Sequence, residues 1–488
     1  MSSYNEMYDV IVCGGGTSGV AAAIASARVG AKTLLIERMG ALGGQMNVSG
    51  PPGFSYARLF NAHDEQVMAG IIEETHARLL KEGHAKPHCH NPYREGTGYT
   101  FAFIDPEWWG LMIFEMMEEN GVILLLHTLV VDVLKDGDTV TGVVVENANG
   151  RNDIKAKIVI ECTGEGDLAA RAGCDWELFP RDEIQPHSLS FTMAGVDWVE
   201  FLDYVGKHPE EIKPRTNMKK YTEEQRWEML RSFTPENVDE IGEIMGWERQ
   251  MEEALAKGEW HPYSGVGFFM APRPDVGVVQ AHMQHSSQVP GIYTHDAWDL
   301  TYGEVECRRQ VKIAINFFKK YVAGFKNAYV TRICNEMRLR EGRRIMGDYR
   351  LTGKDVINAA RFDDCIGKSS FPAGGHHVAS NDTLANVDAG DNENAGRVKD
   401  GGSHDIPYRC LVPKKVENLL IAGKHVSTDR DSYLRFLQQT MVTGQAAGVA
   451  AGLCVKHGVS PRELEDAKYV KELQAILKEQ GAIIDGVH

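Results

Sequence analysis

The chain opens with a short apolar segment, a glycine-rich turn, an alanine-rich segment and a second apolar segment. The first apolar segment, DVIVC, ends at Cys13, and the second, TLLIE, ends at Glu37. Aliphatic and β-branched runs of this length are typical of buried parallel strands, and the alanine-rich stretch between them is typical of a helix. The pattern therefore predicts a strand, a turn, a helix and a second strand from Asp9 to Glu37.

The same patterning predicts elements farther along the chain. A helix is predicted in GIIEETHARLLKEG, and another after Asp105, because Asp105 can cap a helix and Pro106 suits its first turn. The stretch from Val122 to Gly164 predicts strands joined by turns at KDGD and NANGRND, whose glycine and asparagine residues tolerate positive φ. VENLLIAG predicts a strand, and a glycine- and alanine-rich helix follows from about Leu434 to His457.

The sequence pattern changes between about 180 and 395, where amphipathic segments alternate with proline- and glycine-rich loops. We therefore predict an α/β fold, in which a Rossmann-like nucleotide-binding domain carries an inserted α+β substrate domain. The predicted nucleotide-binding domain comprises residues 1–180 and 396–488, and the inserted domain comprises residues 181–395.

The glycine turn carries the most specific chemistry. Gly14, Gly16 and Gly19 stand in G-x-G-x-x-G spacing between the first strand and the helix. Gly14 permits the tight turn, Gly16 lets the backbone approach a pyrophosphate, and Gly19 lets the helix pack against the strand. Glu37 ends the next strand, where an acidic side chain accepts hydrogen bonds from ribose hydroxyls and disfavours a 2′-phosphate. These features predict a dinucleotide site without naming the dinucleotide.

Composition excludes several partners and compartments. The chain has 488 residues, a formal net charge of −16 and a pI near 5.6, so we predict no nucleic-acid partner, because phosphate binding needs a basic surface. The first strand begins within ten residues of Met1, which leaves no room for a signal peptide, and no apolar run approaches the roughly 18 residues of a membrane span. The predictions are therefore a cytoplasmic location and no membrane partner.

The cysteines and histidines do not form a familiar metal motif. The nine cysteines are scattered and never stand in C-x-x-C spacing, which argues against iron–sulfur and zinc-ribbon sites and favours reduced thiols. His84, His88, Cys89 and His90 are the one local concentration of soft ligands, within a polar, glycine- and proline-containing segment typical of a surface loop. We predict no metal.

Three further segments resemble a known group of flavoproteins. The segments Ile158–Gly173 and Ile406–Ala451 resemble motifs by which flavoproteins of the glutathione-reductase superfamily return the chain to FAD. The segment Arg340–Val356 completes a pattern similar to FAD-dependent oxidoreductases related to the succinate dehydrogenase and fumarate reductase flavoproteins. The resemblance covers both ends and the middle of the chain. It implies that the dinucleotide is FAD and that the Rossmann-like domain is an FAD-binding domain.

The resemblance also implies where the cofactor lies. It places a strand end at Gly423 beside FAD and a helix N-terminus around Gly444 and Gln445 at the pyrimidine edge of the flavin. Asp167 either reaches the cofactor or caps the helix DLAARAG, and relatives often have an arginine where this chain has Lys424. The complete predicted set is Gly14, Gly16, Thr17, Ser18, Gly19, Glu37, Arg38, Gly43, Gly44, Gln45, Val130, Thr163, Gly164, Asp167, Gly423, Gly444 and Gln445.

The predicted chemistry is hydride transfer between the flavin and a small polar organic substrate. The chain has no second G-x-G-x-x-G motif and no redox C-x-x-C, so a second electron donor or acceptor, which we leave unidentified, must visit the flavin. Arg344 is predicted to clamp the substrate, because a guanidinium offers a rigid fork of donors. His376, His377 and Tyr408 are predicted to move the accompanying proton. The alternatives are an electron-transfer subunit without its own substrate and a flavin monooxygenase or halogenase.

Overall fold

The structure is a computed structural model that describes residues 4–50, 56–90, 100–214, 222–262, 264–374 and 396–486. Its largest sheet has seven strands in the order β6-β2-β1-β9-β8-β7, with β20 paired to β9. These strands are β1 (Met7–Cys13), β2 (Thr33–Ile36), β6 (Ile123–Leu125), β7 (Leu129–Asp136), β8 (Thr139–Asn147), β9 (Gly150–Glu161) and β20 (Leu419–Ile421).

Strand β9 joins a parallel and an antiparallel part of this sheet. Its second half runs parallel to β1 and β20, with Cys13 opposite Glu161 and Leu420 opposite Ile160. Its first half pairs antiparallel with β8, which in turn pairs antiparallel with β7. The predicted hairpin turns therefore join β7 to β8 and β8 to β9, and the parallel strands β6, β2, β1, β9 and β20 form the Rossmann-type part of the sheet.

The remaining strands form four smaller sheets. A six-stranded antiparallel sheet contains β11 (Phe191–Ala194), β12 (Ile212–Pro214), β13 (Glu243–Gly246), β14 (Val266–Arg273), β15 (Val278–Met283) and β16 (Tyr329–Ile333), in the order β12-β13-β14-β15-β11-β16. The others are β3 (Tyr56–Ala57) and β4 (Cys89–His90) flanking β5 (Thr100–Ala102), β10 (Trp176–Glu177) with β17 (Arg344–Ile345), and β18 (Cys365–Ser369) with β19 (His404–Pro407).

The described α-helices cover both ends and the middle of the chain. They are α1 (Thr17–Arg28), α2 (Ile71–Glu82), α3 (Pro106–Glu119), α4 (Asp167–Ala172), α5 (Trp198–Lys207), α6 (Glu223–Ser232), α7 (Glu248–Ala256), α8 (Ala297–Tyr321), α9 (Gly353–Ile357), α10 (Leu437–His457) and α11 (Ala467–Glu479). Helix α3 begins as predicted, because the Asp105 side chain accepts hydrogen bonds from the backbone N–H groups of Glu107 and Trp108.

Two hydrophobic cores lie under these layers. The first joins the seven-stranded sheet to α1, α3 and α10, so residues from both ends of the chain share one core. The second lies between the six-stranded sheet and α5, α7 and α8, and is rich in aromatic rings such as Trp247, Phe268 and Phe317. A Rossmann-type sheet and a separate antiparallel sheet with helices confirm the predicted α/β fold with an inserted α+β part. The boundaries at 180 and 395 stay a prediction.

Candidate active site

A cavity of about 410 Å³ lies at the carboxyl ends of β1, β2, β9 and β20. Its wall includes thirteen of the residues predicted to contact the cofactor: Gly14, Gly16, Thr17, Ser18, Glu37, Arg38, Gly44, Gln45, Val130, Thr163, Gly164, Asp167 and Gly423. Ligands of open α/β sheets bind at this edge, because the loops that follow the strands meet there. The fold therefore brings residues from both ends of the chain to one cavity.

The three glycines of the turn have different surroundings. A Cβ on Gly14 would lie 2.3 Å from the carbonyl oxygen of Cys162, and a Cβ on Gly19 would lie 1.8 Å from that of Gly14. Both glycines therefore allow close backbone packing. A Cβ on Gly16 would meet nothing within 4 Å, and Gly16 lies on the cavity wall. The turn thus leaves open the space that a pyrophosphate needs beside the N-terminus of α1.

Glu37 holds this turn from the next strand. Its carboxylate accepts hydrogen bonds from the backbone N–H groups of Gly15 at 2.6 Å and Met39 at 2.8 Å. Burial raises the pKa of Glu37. A carboxylate has about four lone-pair sites. Because Glu37 also lies on the cavity wall, it keeps acceptor capacity for ribose hydroxyls.

The loop before α4 forms another part of the wall, and Glu161 shapes it. The fully buried Glu161 carboxylate accepts hydrogen bonds from the N–H groups of Thr163, Leu168 and Ala169, and so caps α4 in place of Asp167. Asp167 is the first residue of α4 and pairs with Arg343 at 2.6 Å. The Thr163 hydroxyl is buried without a hydrogen-bond partner and lies on the wall, as expected of a group that contacts a cofactor.

The opposite end of the cavity combines a helix terminus with buried charges. Helix α10 begins at Leu437, which lies on the wall, and the Thr440 hydroxyl lies 2.7 Å from that of Thr17 at the start of α1. The Lys424 ammonium donates to Glu165 and, at 2.9 Å, to the carbonyl of Leu339. The positive ends of two helices thus border this part of the cavity, which favours negative charge in it, whereas Lys424 is paired with Glu165.

Two predicted cofactor residues at α10 lie elsewhere. Because the helix begins at Leu437, Gly444 and Gln445 lie about two turns inside it. Gly444 packs against Ser18 of α1, and the Gln445 side chain bonds the N–H of Ile71 and the carbonyl of Gln480. Gly444 and Gln445 therefore lie off the cavity wall, which Leu437 and Thr440 occupy, and their contact with the flavin stays a prediction. Gly19 and Gly43 also lie off the wall and shape the turn behind it.

Two predicted catalytic residues are buried away from the cavity. Arg344 is fully buried, pairs with Glu341, and stacks over Tyr433 at 4.5 Å. Tyr408 is also fully buried, its hydroxyl donates to the carbonyl of Pro461 at 2.9 Å, and burial raises its pKa well above its usual range. Neither residue lies on the wall of this cavity, and their catalytic roles stay predictions. His376 and His377 lie outside the described residues.

Sequence reasoning assigned no role to several groups on the wall. The Glu165 side chain is 12% exposed, and partial burial raises its pKa although Lys424 opposes the shift. Arg435 and Thr294 also line the cavity. Glu165 stands between two predicted cofactor residues, Gly164 and Asp167, and this position in the sequence could have indicated that it lies near the cofactor. Nothing in the sequence distinguishes Arg435 or Thr294 from ordinary surface residues.

The histidine-rich segment forms a polar cluster with α2. His88 lies 3.0 Å from Glu73, and His76 lies 3.2 Å from the same carboxylate. The three side chains could share a metal ion, and the two histidines lower the pKa of Glu73 to about 2 although burial opposes the shift. Burial raises the pKa of Cys89 to about 11, which disfavours a thiolate ligand.

In the part of the chain that the structure describes, no helix is long and apolar enough to cross a membrane.

Comparison with known proteins gives a match over most of the chain. The family model described as FAD dependent oxidoreductase matches residues 9–477. Digeranylgeranylglycerophospholipid reductase of Thermoplasma acidophilum is 26% identical over 194 residues, which are 39% of this chain and 48% of that protein. A tRNA uridine 5-carboxymethylaminomethyl modification enzyme of Dichelobacter nodosus is 30% identical over 169 residues, 33% of this chain and 24% of that protein. The chain thus matches about half the length of the first of these relatives.

Solved structures align with most of the chain at low sequence identity. A geranylgeranyl bacteriochlorophyll reductase-like protein from Thermoplasma acidophilum aligns over 97% of this chain and 84% of its own, with a TM-score of 0.41 and 14% identity. A flavin-dependent brominase aligns over 98% of this chain and 84% of its own, with a TM-score of 0.44 and 14% identity.

Proposed function

The chain belongs to the family of FAD-dependent oxidoreductases, and we propose that it transfers hydride between FAD and a small polar organic substrate bound beside Lys424 and Arg435. One observation carries this proposal. The cavity that holds the glycine turn is also lined by Thr294, Leu300 and Leu339, which come from the predicted substrate domain. An electron carrier has little need for such a wall, whereas an enzyme needs it to position a substrate.

Different residues of the wall bind different parts of the cofactor in this proposal. When bound, FAD supplies the two-electron chemistry. The turn at Gly16 and the N-terminus of α1 receive the pyrophosphate, and Glu37 receives the ribose. The N-terminus of α10, which contacts that of α1 through Thr440 and Thr17, provides positive potential for the charge of the reduced cofactor.

Glu165 is the group we propose for the proton transfer that accompanies hydride transfer. It lies on the wall, has a side chain that is mostly shielded from solvent, and accepts a hydrogen bond from Lys424. A carboxyl group whose pKa is raised by burial is suited to general acid–base catalysis closer to neutral pH. In the oxidation of a C–OH or C–NH bond, the hydride leaves the carbon and the proton leaves the heteroatom to the Glu165 carboxylate. In the reverse reaction, the carbon regains the hydride and the heteroatom regains the proton from Glu165.

Anaerobic reduction of the FAD-loaded protein tests the proposal. Small alcohols, amines and hydroxy acids are added to the oxidised protein, and activated alkenes are added after chemical reduction of the flavin. We expect at least one compound to bleach or restore the flavin absorbance and to yield the product with two electrons fewer or more. Reduction by a carrier protein alone would favour an electron-transfer subunit. Product that forms only with oxygen and contains an oxygen atom from it would favour a monooxygenase.

A further inference from the structure

Two arginines near the cavity are buried without acidic partners. Arg338 and Arg340 are 5% and 3% exposed. The described residues supply no ion-pair partner for either of them. The Nη1 atom of Arg338 and the Nε atom of Arg340 are buried without a hydrogen-bond acceptor. An unpaired buried cation is costly in a folded protein, so a guanidinium in this state points to a missing anion.

A third arginine adds to this positive charge. Arg435 lies on the cavity wall, and its charge acts on both Arg338 and Arg340. Burial and, next, Arg435 lower the pKa of Arg338 to about 9. Other buried cations of the region are neutralised by a carboxylate, in the pairs Lys424–Glu165, Arg343–Asp167 and Arg344–Glu341. Among the described residues of this region, Arg338, Arg340 and Arg435 lack such a carboxylate partner, and we call these three the arginine cluster.

Two hydroxyl groups lie beside the arginine cluster. Ser188 is directly opposite Arg338 in an antiparallel bridge, so their side chains leave the same face. The hydroxyls of Ser188 and Ser190 are buried, and both lack a hydrogen-bond partner. The Arg340 guanidinium donates through Nη1 to the carbonyl of Pro186 and keeps Nε free, whereas Arg338 keeps Nη1 free opposite Ser188. Free hydroxyl and guanidinium donors on these paired segments are the donor types that bind an oxyanion.

The arginine cluster adjoins the cavity end that Arg435 and Leu437 line. A Cβ on Gly50 would lie 3.5 Å from the Cβ of Ser190, and the preceding residue, Ser49, lies on the cavity wall. Arg435 reaches the cavity from the other side of the cluster. Met337 and Leu339, which flank Arg338 in the chain, lie on the cavity wall, so the arginine cluster lies directly behind the wall that Arg435 lines.

We propose that the substrate carries a carboxylate group, which Arg338 and Arg340 bind with Arg435 and the Ser188 and Ser190 hydroxyls. This inference rests on the proposed function, because it specifies the substrate class of the same site. Guanidinium groups suit this role, since their planar forks match the two oxygens of a carboxylate. The unpaired charges thus have a function that offsets their cost to stability.

Binding of a simple carboxylate by the FAD-loaded protein tests the proposal without turnover. Propionate is the probe, propionamide is its neutral counterpart, and inorganic phosphate is the competing anion. The readouts are the melting temperature and the flavin absorbance spectrum. We expect propionate to raise the melting temperature and perturb the spectrum with saturation, whereas propionamide and phosphate do neither.

Variants separate an anion site from a structural role. Arg338→Met should raise the melting temperature of the ligand-free protein, because it removes an unpaired buried charge, and should weaken propionate binding at least about tenfold. Arg338→Lys should retain part of the binding. The control is Arg430→Met, because Arg430 is an arginine of the same region that pairs with Glu183. We expect this variant to leave propionate binding unchanged and not to gain stability.

Several results would overturn the inference. One is a FAD-loaded protein that ignores propionate or responds equally to phosphate. Another is an Arg338→Met variant that loses stability and keeps its affinity for propionate. Propionate binding without turnover of any compound would count against the proposed function but leave the anion site standing. Turnover of neutral compounds without propionate binding would support the proposed function and contradict the anion site.

Discussion

Gly444 of α10 lies directly against Ser18 of α1: a Cβ on Gly444 would be 2.1 Å from the Ser18 carbonyl oxygen. Gly448 repeats the contact one turn later, where a Cβ would be 2.1 Å from the carbonyl oxygen of Ala22. The two helices therefore touch backbone to backbone. This contact sets the distance between their N-termini, which both border the cavity and are joined by the hydroxyls of Thr17 and Thr440.

The first prediction tests this contact. Gly444→Ala should destabilise the protein by about 1–3 kcal/mol or more, because the new methyl group meets backbone that cannot move aside. It should also lower FAD content, since α1 and α10 would separate at the cavity. Gly206→Ala is the matched control, because Gly206 lies in helix α5 and a Cβ there would have ordinary contacts. Thermal unfolding and flavin content are measured for both variants, and equal behaviour would contradict the account.

The second prediction concerns Gly16, where added volume meets open space. Gly16→Val should fold with nearly unchanged secondary structure and solubility, because a Cβ there has no neighbour within 4 Å. It should fail to bind FAD, because the side chain fills the space of the pyrophosphate. Circular dichroism of the purified variant checks its folding, and its flavin absorbance checks FAD binding. Stoichiometric FAD in this variant would show that the turn does not hold the cofactor.

The structure also explains why the sequence located the glycine turn but not the helix entrance. The turn follows a strand and precedes a helix, so its spacing alone fixes its place in the fold. Helix α10 begins after Phe436, which is not a residue with a capping side chain, and its glycines serve packing instead. The sequence pattern therefore suggested that the helix N-terminus lies near Gly444, whereas in the structure Gly444 is a contact between α10 and α1.

The arginines show a second limit of sequence reasoning. Arg338, Arg340 and Arg344 stand within seven residues of one another and look equivalent in the sequence. Only the fold decides that Glu341 neutralises Arg344, whereas Arg338 and Arg340 face the buried Ser188 and Pro186 positions. The Arg344–Glu341 pair is local, three residues apart, whereas the contacts of Arg338 with Ser188 and of Arg340 with Pro186 join distant segments and leave no local pattern in the sequence.

A third prediction tests the role of Glu165. Glu165→Gln should keep FAD, because the amide is nearly isosteric, but should lower kcat about a hundredfold or more by removing the proton acceptor. The pH dependence of kcat should lose the limb that reports this carboxyl group. Glu177→Gln removes a carboxylate that pairs with Arg350 off the cavity wall and serves as control. Unchanged turnover and an unchanged pH profile in Glu165→Gln would exclude it as the acid–base group.

A fourth prediction concerns acid stability. Burial lowers the pKa of His404 to about 4, whereas an unfolded histidine titrates near 6.5. Between these values the unfolded state binds a proton that the folded state does not, so the free energy of unfolding falls as pH falls from about 6.5 to 4. His404→Gln should therefore flatten this slope by up to about 1.4 kcal/mol per pH unit. Denaturant unfolding at several pH values measures it, and the exposed His208→Gln should leave the slope unchanged.

The central claim is that the chain moves a hydride between FAD and a substrate in its own cavity, and an anaerobic single turnover tests it most directly. The FAD-loaded protein is mixed with an equimolar amount of the best substrate found, either protonated or deuterated at the reacting carbon. The account predicts one substrate consumed per FAD in a two-electron step that deuterium slows several-fold. Flavin that reacts with a carrier protein but with no organic compound, or single-turnover flavin reduction at the same rate with the protonated and the deuterated substrate, would contradict the claim.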